Sequence, residues 1–459
     1  MEPYTLDLFL NDVKNAGTPT DLSSLLDVNP ITAKHLPSLQ QSLQQSLQSY
    51  NDDQLESIIE NIHFYNNDWP AFETMIQKYL VYVKNIDPWS LLNSIDLMIG
   101  FYSSLSVALN NKQFHTILFK STFDITNLII PLTKFVDAKI MQIENRVNNY
   151  PRLSYLSTIM LKIVNNIRAS PALEELGSNE SKDTISVLMS VCISLCNLYI
   201  FIDSPILCNN VFSNMNVLRL DKRLISRSQL INYRFVLGKF HLGQSNYFLA
   251  YKHFMWCFQN IHRDISVRSL IKILKYLIPC GLLVGKVADI QVLKDLVQSD
   301  KGGLQTIEIY GPLITCYKAG DIKGFSDALR RNRSYFIGLC LYVGFLQRVR
   351  ILILRNLILK VYKITGRLNF EDVRSALNVS CDPVQQNASS GSLSFYTITD
   401  QINDSFVQNV LVALVDGNLI RAKLTASKNI ILSRTNPFPD IYDIYKLKYA
   451  QPGKEDWLD

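Results

Sequence analysis

The chain has 459 residues, 47% of them hydrophobic, which is enough apolar material for two to four structural units with an extended core. Its net charge of +6 hides an asymmetry: residues 1–215 hold 13 Lys+Arg against 21 Asp+Glu, and residues 216–459 hold 33 against 19. Met1–Leu10 carries two acids, no base and no long apolar run, so a secretory signal is not expected; eight cysteines without a C-x-x-C pair speak against a disulfide or zinc framework.

Helical periodicity dominates to about residue 365. Leu39, Leu43 and Leu47 fall four apart and form one apolar stripe on a glutamine-rich helix. Pro88, Pro131, Pro151, Pro171, Pro205, Pro279 and Pro312 are expected between or at the edges of apolar helices, because proline interrupts the backbone ladder. Ser170–Asp183 and Ser380–Leu393 are polar and turn-rich and are expected to be flexible. Ile185–Ile202 is uncharged for 18 residues, the lower edge of spanning length. It contains three serines and an asparagine, and no basic cluster adjoins it, so a buried helix is expected and membrane insertion is not. Cys192 and Cys196 lie one helical turn apart without a further ligand pair, which reads as core packing.

Tyr233–Phe258 contains Leu237, Gly238, Ala250 and Phe254 at positions used in a tetratricopeptide hairpin, where small residues let two antiparallel helices approach and an aromatic fills the gap. The usual Trp, Tyr and Pro positions are not met, so this is one degenerate repeat. Similar pairs are expected at Ile206–Asn214, Ser269–Gly285 and Gly311–Arg331.

The last ~110 residues follow a winged-helix order. A long basic helix spans Ser334–Gly366, a short helix Asn369–Asn378, a third helix Ser405–Val415, and two strands Leu419–Leu424 and Asn429–Arg434. The tail from Asn436 onward is expected to be only partly ordered. The fold class is therefore all-α: a helical-repeat (TPR-like) solenoid capped by a C-terminal winged helix with a small β-hairpin. Boundaries are expected at 1–203 (N-terminal helices), 204–335 (repeats), 336–439 (winged-helix part) and 440–459 (tail).

No catalytic chemistry is legible, and no enzyme, cofactor or metal is expected. The sequence GLLVGK at Gly281–Lys286 has one residue too few for a phosphate loop and lacks the following Ser/Thr. Gly243–Tyr247 lacks the second glycine of a nucleophile elbow. The six histidines form no H-E-x-x-H set, and His241, His253 and His262 read as helix-surface or packing residues. The Asn-x-Ser triplet at Asn387 reads as a chance glycosylation match.

In the long helix, Ile351, Leu354, Ile358 and Val361 form a stripe, with Arg348, Arg355, Lys360 and Lys363 assigned to the opposite side. Along the first wing strand, Ile420, Ala422 and Leu424 alternate with Arg421 and Lys423; Lys428 sits at the wing tip and Arg434 ends the second strand. Lys360, Lys363, Arg421, Lys423, Lys428 and Arg434 are the candidate phosphate contacts, since mobile cations on a convex edge suit a polyanion. Arg348 and Arg355 serve equally well as intramolecular bridges to the repeats. The third helix holds no Lys or Arg, which speaks against sequence-specific reading of DNA. Its stripe of Val407, Val410, Leu411 and Leu414 is the candidate partner interface.

A helical-repeat stack fused to a winged helix resembles the PCI family, the scaffold subunits of the proteasome lid, the signalosome and a translation-initiation factor. The strings LKYLIPCGLLVGK (Leu274–Lys286), RNLILKV (Arg355–Val361), QNVLVALV (Gln408–Val415) and NPFP (Asn436–Pro439) resemble the branch holding the PCI subunit of the nuclear transcription-and-export complex 2. ILCNNVF (Ile206–Phe212) and INYRFVLGK (Ile231–Lys239) resemble its fungal form, and the likeness covers Ser204–Pro439, with the N-terminal half alike only in helical character. The resemblance implies a nuclear subunit of an mRNA-export complex, at the nuclear pore. It implies a large PCI-like export scaffold subunit as partner, a small acidic disordered peptide subunit, and RNA or DNA bound without strong sequence preference. The rival reading is a protein-assembly adaptor of a signalosome- or proteasome-lid-like complex that binds no nucleic acid.

Overall fold

In the computed structural model, the described residues are 4–29, 32–45, 52–87, 89–145, 150–173, 179–218, 220–262, 267–297, 300–381, 402–425, 429–449 and 455–458. The fold is all-α, with one small sheet near the C-terminus among the described residues. The chain divides into two compact units, residues 1–233 with 457–459, and residues 234–456.

In the first unit, amphipathic helices run from Leu6–Asn15 to Cys208–Leu218. Threonine caps open the first two: the hydroxyl oxygens of Thr5 and Thr18 accept from the backbone N–H groups of Leu8 and Asp21. The largest buried side chains of this core are aromatic, and several have their polar ends satisfied. Trp69 Nε1 donates to the Ala108 carbonyl at 3.0 Å, and the Tyr82 hydroxyl to that of Val28 at 2.8 Å.

The helix Asn179–Phe201 contains all but the last residue of the uncharged run. Among the described residues, two helices, Leu91–Ala108 and Glu180–Phe201, are long and apolar enough to cross a membrane by length and composition, but they are 50% and 61% buried within the protein. Two serines of the second, Ser186 and Ser190, are also provided for. Gln229 Nε2 lies 2.8 Å from the Ser186 carbonyl, 2.9 Å from Ser186 Oγ and 3.0 Å from Ser190 Oγ. A polar clasp on an apolar helix is what a packed helix needs and what lipid would not supply.

The prolines depart from expectation. Pro131, Pro279 and Pro312 lie inside the continuous helices Phe119–Glu144, Val267–Leu283 and Lys301–Ala319. Interior proline costs about 3 kcal/mol, and these helices bury many apolar side chains on either side of it, which is enough to hold the segment together. Pro151 and Pro205 do begin helical segments, and Pro171 opens a 3-10 turn. Pro88 lies outside the described residues, as do most of Ser380–Leu393 and the middle of Ser170–Asp183.

In the second unit, a Cβ on Gly238 would stand 2.8 Å from the ring of Phe254, which is fully buried. This is the small-residue and aromatic meeting expected of a tetratricopeptide-like hairpin. The winged helix follows the order helix Arg350–Thr365, strand β1 (Leu368–Asn369), helix Phe370–Cys381, helix Asp404–Asp416, β2 (Ala422–Leu424) and β3 (Asn429–Leu432). The antiparallel sheet has the order β1-β3-β2, with Leu368 opposite Ile430 and Ala422 opposite Leu432. Strand β1 was not expected, because two residues are too short to show a period.

The single helix expected over 334–366 is broken. Arg333–Gly338 ends, Cys340 adopts a left-handed φ of 57°, and a π turn at Phe345–Val349 leads into Arg350–Thr365. The tail also differs. Ile441–Tyr449 is a helix whose start is held by Asp440, which accepts from the Tyr442 N–H at 2.8 Å. Lys286, in the rejected phosphate-loop string, forms an ion pair with Asp440 at 2.9 Å and lies over the Tyr442 ring. That string therefore serves as a docking turn for the tail helix.

Candidate nucleic-acid interface of the winged helix

Lys360 and Lys363 are exposed in the C-terminal half of helix Arg350–Thr365, and Arg367 is exposed just beyond it. Lys360 borders an open groove of about 860 Å³, whose lining includes Val361, Ile364 and Val379 together with Asp321 and Asp327. On β2, Ile420 just before the strand is buried, Ala422 and Leu424 are half-buried, and Arg421 and Lys423 are exposed. The expected alternation is present. The sheet order makes β2 an edge strand, so Arg421 and Lys423, two residues apart, share one open face. Arg434 is exposed after β3. Lys428 lies outside the described residues.

Among the described residues, none of Lys360, Lys363, Arg421, Lys423 and Arg434 forms an ion pair. Exposed cations without carboxylate partners keep their full charge available to a polyanion. The wing that carries two of them is positioned by backbone bonds: Arg421 N–H donates to the Pro437 carbonyl at 2.8 Å, and the Arg421 carbonyl accepts from Ser433 N–H at 2.9 Å.

Two basic residues are corrected. Arg355 is buried, with 7% of its surface exposed, not on the solvent side. Its Nε donates to the Leu419 carbonyl at 3.2 Å and its Nη2 to the Pro439 carbonyl at 2.7 Å; burial lowers its pKa. Arg348 is half-buried, donates from Nη1 to the Tyr449 hydroxyl at 3.0 Å, and that bond raises its pKa. Both are intramolecular bridges, reaching the wing and the tail helix, and Arg348 also lies over the ring of Tyr247 in the repeat region.

The stripe on the third helix is corrected too. Val407, Val410, Leu411 and Leu414 are 0%, 7%, 1% and 0% exposed, so they fill the winged helix's own core and offer no surface to a partner. The face that does look outward carries Gln408, Asn409, Val412 and Asp416, without a cation. Arg374, nearby, is paired with Asp404 at 3.2 Å.

One cluster escaped the sequence reading. His241 and His253, expected to be surface or packing residues, are buried and both reach Glu455. They stand 214 and 202 residues from it along the chain, and no local motif signals such a meeting.

No protein-family model matches the chain. It is similar to the nuclear mRNA export protein THP1 of Saccharomyces cerevisiae, 28% identical over 399 residues, which is 83% of this chain and 84% of that protein. A PCI domain-containing protein of Schizosaccharomyces pombe is 23% identical over 378 residues, 80% of this chain and 79% of that one. A CSN12 homologue of Gibberella zeae is 28% identical over 221 residues, covering 47% and 46%. The chain thus resembles the PCI-domain proteins, their fungal mRNA-export branch included. With THP1 the likeness reaches far beyond residues 204–439 and takes in much of the N-terminal half, which the sequence strings had left out.

Proposed function

We propose that this chain, a PCI-like protein by its resemblances, is a non-enzymatic scaffold subunit of a nuclear, transcription-coupled mRNA-export complex. It pairs with a large PCI-like scaffold subunit and a small acidic peptide, acts at the nuclear pore, and contributes cations to the binding of RNA or DNA. The observation that carries this reading is the similarity to a nuclear mRNA export protein along most of both chains. The basic balance of residues 216–459 and the unpaired cations of the wing support the nucleic-acid part. Because the outward face of the third helix holds no cation, binding rests on charge and shape and reads no base sequence.

Affinity purification of the tagged chain from nuclear extract tests the assembly. Recovery of a large export scaffold with a small acidic peptide is the expected result, and recovery of signalosome or proteasome-lid subunits alone would overturn it. The phosphate contacts have their own test on the assembled complex. Arg421→Glu with Lys423→Glu should weaken single-stranded RNA binding and lower the log–log salt slope by roughly 1.4, about 0.7 per lost contact. An unchanged affinity and slope would remove the wing from the interface.

A second reading is an assembly adaptor without a nucleic-acid role. The outward face of the third helix, which holds no cation, and the likeness to a CSN12 homologue favour it. On that reading the same two substitutions alter complex recovery and leave RNA binding untouched.

A further inference from the structure

The second unit holds a cluster that neither scaffolding nor phosphate binding uses. His241 lies in the last turn of the helix Arg227–Gly243, and His253 in the middle of Tyr247–Asn260. The turn between these helices is tight: Ser245 takes a left-handed φ of 59°, and Asn246 caps the second helix by accepting from Leu249 N–H at 3.2 Å. The hairpin stacks the two imidazoles in parallel, with centroids 5.4 Å apart and planes 4° apart. Both Nε2 atoms turn to one carboxylate, His241 to Oε1 of Glu455 at 3.1 Å and His253 to Oε2 at 2.8 Å. His253 is 1% exposed, and the Glu455 side chain 18%.

We propose that His241, His253 and Glu455 form a binding site for a zinc-class divalent metal ion, which ties the Glu455 segment to the helical hairpin. Two imidazoles and a carboxylate are a known zinc donor set, and magnesium or calcium would instead call for a cage of oxygen ligands. All three ligand atoms lie within 4.8 Å of one another. Zinc bonds of about 2.0–2.1 Å set tetrahedral edges of roughly 3.3 Å, so the coordinating Glu455 oxygen needs to change its separation from the imidazole it already meets, at 3.1 or 2.8 Å, by only tenths of an ångström, while the other imidazole moves further. The imidazoles approach each other by side-chain rotation.

Without the ion each imidazole donates from Nε2 to Glu455; with the ion, Nε2 presents its lone pair and the remaining ring proton sits on Nδ1. Neither Nδ1 has a hydrogen-bond partner among the described residues, so the exchange of tautomer breaks no bond there. The exposed edge of Glu455 leaves room for water as a fourth ligand.

The test uses the full chain, stripped with a chelator and titrated with Co²⁺, whose visible d–d absorption reports low-coordinate nitrogen and oxygen ligation. One equivalent of Co²⁺ is expected to give the bands, one equivalent of Zn²⁺ to abolish them, and excess Mg²⁺ to leave them unchanged. Glu455→Gln keeps the size and one oxygen acceptor, so it should fold, as circular dichroism would verify. It should weaken binding by at least the roughly 10–100-fold typical of changes one step further from a metal. Absence of one-to-one binding by the natural chain would overturn the site and leave a hydrogen-bonded anchor. Equal Co²⁺ affinity in Glu455→Gln would overturn it as well.

Discussion

Gly320→Val should destabilise the second unit by about 2–6 kcal/mol, a loss large enough to leave much of it unfolded at physiological temperature. Gly320 ends the helix Lys301–Ala319 with φ +77°, a conformation a β-branched residue adopts only under strain of about 1–3 kcal/mol. A Cβ placed there would meet Leu357 at its Cα, 2.7 Å away, and at its backbone nitrogen, 2.8 Å away. The obstacle is backbone in the middle of the first winged-helix segment, so no rotamer change relieves it, and overpacking adds about 1–3 kcal/mol. The Gly320 carbonyl also accepts from Ser380 Oγ at 2.6 Å, and that Ser380 Oγ in turn accepts from Ile322 N–H at 3.1 Å, so displacement would open a buried relay. Gly366→Ala is the matched control: φ is +72°, but nothing lies within 4 Å of its Cβ position, so only the conformational cost of about 1 kcal/mol applies. Urea denaturation of both variants checks the difference. Equal losses would mean that the approach to Leu357 is slack.

Arg355→Leu should cost about 2–4 kcal/mol and loosen the wing. The substitution keeps an apolar stem in place but removes the donors that satisfy two buried carbonyls, those of Leu419 and Pro439. Hydrogen bonds from a charged group contribute about 1.5–3 kcal/mol each, offset in part because a buried guanidinium no longer has to be desolvated. Those carbonyls flank the backbone bond from Arg421 to Pro437, so hydrogen exchange at the Arg421 amide should accelerate along with the fall in stability. Arg355→Lys should recover only part of the loss, since a single ammonium does not reproduce the spread of Nε and Nη2. A variant within about 0.5 kcal/mol of the natural chain, with unchanged exchange, would show that the wing is anchored elsewhere.

The error over Arg355 is instructive because periodicity contained the answer. Arg355 stands four residues after Ile351 and three before Ile358, which puts it on the same face as that stripe. Placing it on the opposite side of the helix misreads the 100° step. Nothing local tells a cation that will find backbone acceptors from one that will find water; the acceptors at Leu419 and Pro439 lie 64 and 84 residues away. For the apolar stripe of the third helix the period was right and the neighbour was not. Val407, Val410, Leu411 and Leu414 face inward, and the surface they need is supplied by the chain itself.

The sequence by itself determined the all-α class, the order of the winged-helix elements, the Gly238–Phe254 meeting and the alternation of Arg421 and Lys423 with apolar neighbours. Each of these follows from periods of 3.6 or 2 and from residue size, which act over a few positions. Only the tertiary structure decided that Pro131, Pro279 and Pro312 stay inside helices, that a two-residue strand joins the sheet, and that Lys286 docks the tail through Asp440. It alone drew His241 and His253 onto Glu455 and turned Arg355 inward. Those outcomes depend on burial and on hydrogen-bond partners that the chain brings from far along its length, where the free energy of packing outweighs what any short segment prefers.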